Sequence, residues 1–317
     1  MVSKGGLFMI DLHCDTFMKL LDEKSELRKN DYHIDLLKML EGGSKAQVFA
    51  NFIHMESVSE PKKHCTEMLK YGKAQLEKND DLIGIARNFK EYETLQAEGK
   101  MAAILAIEEG GALEGKMENL HYFYEEGVRL ITLTWNYPNE IGYPNAGYTH
   151  KDKGLTPFGI DLVREMNKKG MLVDVSHLSD GGFYDCIKYS NQPIVASHSN
   201  ARAVCEHTRN LTDDMLKKLA ENGGITGINY LSAFLDGTNF SKVESMVKHI
   251  EYIKQVAGMD TVALGSDFDG VDCELEMPTI AHVDMLKNAL NIKGFTCEEI
   301  DRIFFKNAER VLREVLK

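Results

Sequence analysis

Short apolar runs alternate with longer amphipathic stretches along the whole chain. The runs cover residues 7–14, 48–53, 102–107, 130–135, 171–176, 194–197, 224–230 and 261–266. Most are continuously apolar and rich in β-branched residues. That is the pattern of strands buried on both faces of a parallel sheet. The stretches between them read as helices. In "TPFGIDLVREMNKKG", Thr156 suits the N-cap, Pro157 the first turn and Gly170 the C-terminal stop. Ile160, Val163 and Met166 fall at helical spacing on that segment. Residues 240–257 and 297–317 read similarly. Eight strands alternating with helices predict an α/β fold, a (β/α)8 TIM barrel with extra loops and helices. One domain is expected over residues 1–317. A doubly wound open sheet competes, but it would carry a Gly-rich nucleotide loop after its first strand. Here that place holds "HCDT".

Composition narrows the partners. The chain of 317 residues is 43% hydrophobic and 27% charged, the mix of a globular protein. Its formal net charge of −12 argues against a nucleic-acid partner and against an anionic membrane surface. No apolar stretch approaches the roughly 20 residues of a membrane span. Near the N-terminus Asp11 interrupts the apolar residues soon after Lys4, so no signal peptide is expected. Cysteines at 14, 65, 186, 205, 273 and 297 form no CxxC pair. Reduced thiols and a cytoplasmic location are expected.

Polar residues at the ends of the runs carry the chemistry. His13 and Asp15 end the first run, Glu108 the third, His177 the fifth, His198 the sixth and Asp267 the eighth. In a barrel all these C-terminal ends converge on one mouth. One strand-end histidine is commonly a structural hydrogen-bonding group, and HxD alone is a common pattern. A carboxylate or hydroxyl after a strand can also cap the next helix, as Asp269 or Ser179 could here. The joint pattern is different. Three imidazoles and three carboxylates in one cavity need a compensating cation, and zinc takes both ligand types. Residues i and i+2 of an extended strand face the same side. His13 and Asp15 can therefore hold one ion while Cys14 points away. His177 and His198 can hold a second, with Glu108 between them.

The motifs "DLHCDT", "AIEEGGAL", "LTLTWN", "VDVSHLS", "ASHSNARAV", "TRNLTDD" and "GSDFDG" resemble those of the renal (membrane) dipeptidase family, in the family's order from about Met9 to Gly270. The resemblance implies an amidohydrolase-like barrel with two zinc ions. One is held by His13 and Asp15, the other by His177 and His198, and Glu108 bridges them. Glu109, next in sequence, does not match the bridging position and is expected either to support the ligands from behind or to lie in the loop. Arg209 in "TRN" matches the arginine that binds the substrate carboxylate, with Arg202 as a second candidate. Asp267 matches the acid/base carboxylate. The pattern departs at Trp135, where mammalian relatives carry a histidine thought to polarise the scissile carbonyl. Either Asn136 supplies a donor, or the pocket is reshaped for other dipeptides, or Trp135 only packs at the mouth. Tyr230, at the end of the seventh run, is a further candidate for the substrate pocket. His54 is the remaining histidine at a strand end.

The implied reaction is hydrolysis of a dipeptide by hydroxide held between the metals, with acceptance of a D-residue at the C-terminal position. The partners expected are small dipeptides, with no nucleic acid and no membrane, and a homodimer by analogy. A second hypothesis keeps the metal barrel but cleaves another small carboxylate-bearing amide or lactone. Such relatives often bridge their metals with a carboxylated lysine on strand four, and "LTLTW" has none. A third, a barrel that binds metal or peptide without catalysis, would be expected to lack Asp267 or a ligand.

Overall fold

The computed structural model describes residues 8–317; the expected start of the first strand at Leu7 and the segment around Lys4 lie outside them. Eight parallel strands form the barrel. They are β1 Met9–Cys14, β2 Ser44–Phe52, β3 Met101–Glu108, β4 Val128–Thr132, β5 Leu172–Asp174, β6 Val195–Ala196, β7 Ile225–Ile228 and β8 Val262–Leu264. β1 pairs with both β2 and β8, which closes the ring. Each expected run overlaps one of these strands. Two features were not foreseen because they are very short. Ile83–Ile85 lies against the start of β3, and Phe240–Ser241 pairs with Glu274–Leu275 in a small separate ribbon. The ribbon also shortens the expected helix over 240–257, which begins at Val243.

The barrel is filled rather than hollow. Ile10, Leu12, Ala46, Val48, Ala102, Ile104, Ala106, Leu130, Leu172, Val195, Ile225 and Ala263 come from all eight strands and form one apolar cluster. The last helix, Asn307–Val315, adds Ala308, Val311, Leu312 and Val315 to it. Each fully buried Val, Leu or Ile side chain contributes about 1.5–3 kcal/mol. A second cluster lies between the strands and the surrounding helices. There Phe17, from the helix after β1, stacks on Phe49 of β2 at 4.7 Å.

Helix ends follow the sequence signals. Thr156 accepts the Gly159 N–H at the start of Pro157–Lys169, and Gly170 closes that helix in the left-handed conformation at φ 69°. Thr296 and Glu299 form a capping box on Cys297–Asp301. The expected closing helix over 297–317 is interrupted by a π-helical stretch at Arg302–Lys306. Close strand packing near the mouth depends on two glycines. A Cβ on Gly265 would lie 1.8 Å from the Ser197 carbonyl oxygen, and one on Gly227 would lie 2.1 Å from it.

β1 departs from plain alternation in a way that matters for chemistry. Its register against β2 shifts between Asp11 and Cys14. Asp11 pairs with Gln47 and Cys14 with Phe49, so both lie on the outer side. The shift leaves Leu12 and His13 to follow each other inward. Among the described residues no helix is long and apolar enough to cross a membrane.

Candidate active site

Neighbouring strands deliver side chains to one level at the mouth. The β2–β3 register places Phe52 beside Glu108, β3–β4 places Glu108 beside Thr132, and β4–β5 places Thr132 beside Asp174. Just beyond the strand ends the backbone bends sharply. Glu109, His177, Asp267 and Asp269 are non-glycine residues with φ of 84°, 67°, 61° and 70°. Such conformations cost on the order of 1–3 kcal/mol each and persist where the surroundings fix them, commonly at functional sites.

Glu108 is the centre of the group. Its Oε2 lies 3.2 Å from His13 Nε2, and its Oε1 lies 3.1 Å from His177 Nε2 and 3.6 Å from His198 Nε2. Asp15 Oδ2 is 3.5 Å from His13 Nε2. His177 Nε2 and His198 Nε2 are 3.0 Å apart. One carboxylate thus turns an oxygen to each of two ligand sets. Donor atoms of His13, Asp15 and Glu108 lie within 4.8 Å of one another, as do those of Glu108, His177 and His198, and those of His13, His198 and Asp267.

The tautomers support a cation here. Ser197 Oγ donates to Asp174 Oδ2 at 2.6 Å, so His198 Nδ1–H donates to Ser197 Oγ at 2.7 Å. His177 Nδ1–H donates to Asn136 Oδ1 at 3.2 Å. Both Nε2 lone pairs then point at each other and at a carboxylate oxygen, which is repulsive without a positive charge between them. Zinc–nitrogen bonds of about 2.0–2.1 Å at tetrahedral angles put two donors roughly 3.3 Å apart. The observed spacings fit. Burial, with the nearby Arg209 and His13 charges, holds His177 and His198 well below the usual imidazole range, so they stay neutral as ligands must. Burial opposes a charge on His13, but Glu108 and Asp15 overcome it and raise that imidazole. Burial raises Asp15 to about 6; it also pushes Asp267 up to about 8, where Asp15 and Glu108 add to the rise.

Asp15, Glu108, His177 and Asp267 face a cavity of about 340 Å³. A Cβ on Gly270 would come within 2.2 Å of Asp15 Oδ2 and 2.6 Å of Asp267 Oδ1, so glycine keeps the space between those acids open. Arg209 lies close by and is 3% exposed. Its Nη1 donates to Ser199 Oγ at 3.3 Å and its Nη2 to the His198 carbonyl at 3.2 Å, while Nε has no partner. No ion pair to a carboxylate is formed by Arg209 among the described residues, and burial lowers its pKa to about 10. A buried guanidinium without a counter-ion is costly unless an anion arrives.

Residues 6–317 match the sequence model of the membrane dipeptidase family, peptidase family M19. The chain belongs to the membrane dipeptidase family. It is a metal-dependent dipeptidase. An uncharacterized dipeptidase of Schizosaccharomyces pombe is 31% identical, over 83% of this chain and 69% of the relative. The crystal structure of dipeptidase AC superposes with a TM-score of 0.91 at 26% identity, covering 98% of this chain and 99% of that one. A metallopeptidase from Rhodobacter sphaeroides, liganded with a phosphinate mimic of the dipeptide L-Ala-D-Ala, gives 0.89 at 26% identity, covering 98% and 99%.

As a membrane dipeptidase, the chain shows where the sequence reading needs correction. Asp15 is not on the strand: it follows β1 with φ −103° and ψ 20°, and sits at the start of helix Thr16–Glu23. It reaches His13 through this turn and not through strand alternation. Arg202 is not available to a substrate, because it forms a two-pronged pair with Asp180 at 2.8 and 2.9 Å. Tyr230 is 1% exposed, stacks edge-on against Phe268 at 5.4 Å and is absent from the cavity lining; its hydroxyl has no partner. Asn136 carries His177 through its Oδ1. Ser179 caps its helix by accepting the Gly182 N–H, whereas Asp269 instead accepts from Thr16 Oγ1 at 2.6 Å and His33 N–H at 2.8 Å. His54 is half-buried, with Nδ1 3.0 Å from Ser57 Oγ. Cys14 packs in the outer cluster, and burial raises its thiol.

Supporting residues escaped the sequence reading. Asp174 accepts from Thr132 Oγ1, the Ser176 and Ser197 N–H groups and Ser197 Oγ, which fixes His198. Asp11 accepts from Ser266 N–H at 2.7 Å and Ser266 Oγ at 2.6 Å, anchoring the segment before Asp267. Asn229 Nδ2 donates to Asp267 Oδ2 at 2.8 Å. The available signal was an acid inside an apolar run, two residues before His13 and three before His177.

Proposed function

We propose that this chain is a two-zinc dipeptidase that cleaves free dipeptides and accepts a D-residue on the leaving side. The observation that carries this reading is the split carboxylate of Glu108, one oxygen toward His13 and the other toward His177 and His198. His13 and Asp15 would hold one ion, His177 and His198 the other, and Glu108 both. When bound, the metal pair supplies Lewis acidity, activating water at neutral pH and polarising the peptide carbonyl. Asp267 takes the proton released by the attacking water and returns it to the departing amine. Asn229 keeps Asp267 aimed by donating to its other oxygen. Arg209 receives the free C-terminal carboxylate, which its unpartnered Nε and the lack of a direct ion pair among the described residues leave it ready to do. Acceptance of a D-residue is supported by the similar Rhodobacter sphaeroides protein and its L-Ala-D-Ala mimic. Six free cysteines support a reducing, cytoplasmic setting. We read residues 1–317 as one hydrolase domain.

Arg209→Ala tests the length restriction. Hydrogen bonds between charged groups contribute about 1.5–3 kcal/mol, so kcat/KM for L-Ala-D-Ala and L-Ala-L-Ala is expected to fall about 10²-fold. The parent should prefer dipeptides to dipeptide amides and the variant should not. Equal hydrolysis of dipeptides by variant and parent would remove the carboxylate clamp.

A further inference from the structure

We propose that the wall formed by Met18, Phe52 and Trp135 selects dipeptides whose N-terminal residue carries a bulky apolar side chain. The inference rests on the dipeptidase reading and adds which part of the substrate is read. Direction comes from Arg209. Its guanidinium lies 5.4 Å from the Phe234 ring, which lines the cavity on the side of the loops after β6 and β7. A carboxylate bound there holds the C-terminal residue on that side. The residue across the scissile bond then falls toward the loops after β2 and β4, where Phe52 and Trp135 stand; Met18, on the helix Thr16–Glu23 that follows β1, lines the same cavity.

That side is apolar and fixed. The Trp135 ring meets Phe52 edge-on at 4.9 Å, and its other neighbours include the His54, Tyr137 and His177 rings at 5.2, 5.7 and 6.1 Å. Its backbone N–H donates to Glu109 Oε2 at 2.8 Å, and Glu109 Oε1 accepts from the Gly111 N–H and from Asn139. The buried Glu109 therefore ties the strand-four loop to the strand-three loop and holds the indole in place. A wall already ordered costs little entropy when a side chain packs on it. It offers dispersion and area to Leu or Phe, and almost nothing to Gly.

The test compares kcat/KM for Gly-Ala, Leu-Ala and Phe-Ala, with Ala-Gly and Ala-Phe as the reversed pairs. For a side chain gaining several carbons of buried contact, the parent is expected to favour Leu-Ala and Phe-Ala over Gly-Ala by at least about tenfold. In Trp135→Ala that ratio should fall to within about threefold, in Trp135→Phe most of it should remain, and the Ala-Phe to Ala-Gly ratio should not change. Met18→Ala provides the same reading should Trp135→Ala fold poorly, and a reduced ratio is expected there too. Equal rates on Gly-Ala and Phe-Ala in the parent, or an intact ratio in both alanine variants, overturn the inference. Failure to cleave any dipeptide overturns the dipeptidase reading beneath it.

Discussion

Asp267→Asn is expected to lower kcat by about 10²–10⁴, the range for loss of a positioned general acid/base, with metal content unchanged. Asparagine keeps the shape of the side chain, and its amide oxygen can still accept from Asn229, which donates to Asp267 Oδ2 at 2.8 Å. It cannot take and return a proton. Asp267 sits at φ 61° on a segment that Asp11 anchors through Ser266, so the replacement should not wander. Steady-state kinetics together with elemental analysis check the prediction. Full activity would remove Asp267 from proton transfer. Loss of metal alongside activity would make it a ligand instead.

Glu108→Gln should do more. A glutamine presents one acceptor oxygen and one NH2 group where Glu108 presents two oxygens. Whichever way it turns, an N–H faces one of the two ligand sets. Several kcal/mol of Lewis-acid stabilisation depend on holding the metals, and each 1.36 kcal/mol is a factor of ten. A fall in kcat/KM on the order of 10³ or more is therefore expected, with loss of at least about one metal per chain on dialysis. Retention of full metal and rate would show that the carboxylate merely hydrogen-bonds His13.

The architecture was legible because parallel-barrel strands are buried on both faces. Continuous runs such as "AAILAI" end where the strands end, so Glu108, His177 and His198 could be placed at the mouth from sequence alone. What a linear pattern cannot show is a local change of register. Alternation counted along β1 gives the right partners for His13 for the wrong reason, since a register shift and a following turn bring Asp15 to it. Arginines posed a different problem. Arg202 and Arg209 look alike in sequence, and only three-dimensional packing reveals that Asp180 pairs directly with one while the other forms no ion pair among the described residues. Asp11 and Asp174 showed only as acids inside apolar runs and Asn229 gave no signal, because partners that define their roles come from distant segments, up to 255 residues away for Asp11 and Ser266. Glu109 was placed correctly off the strand, but its hold on Trp135 needed the fold.

The most direct measurement is anomalous X-ray diffraction at the zinc edge from crystals of the protein grown with zinc. Two peaks are expected, one next to each oxygen of Glu108, the first beside His13 and Asp15 and the second beside His177 and His198. A single peak on one side of Glu108, or ordered zinc only elsewhere on the molecule, would contradict the two-metal centre.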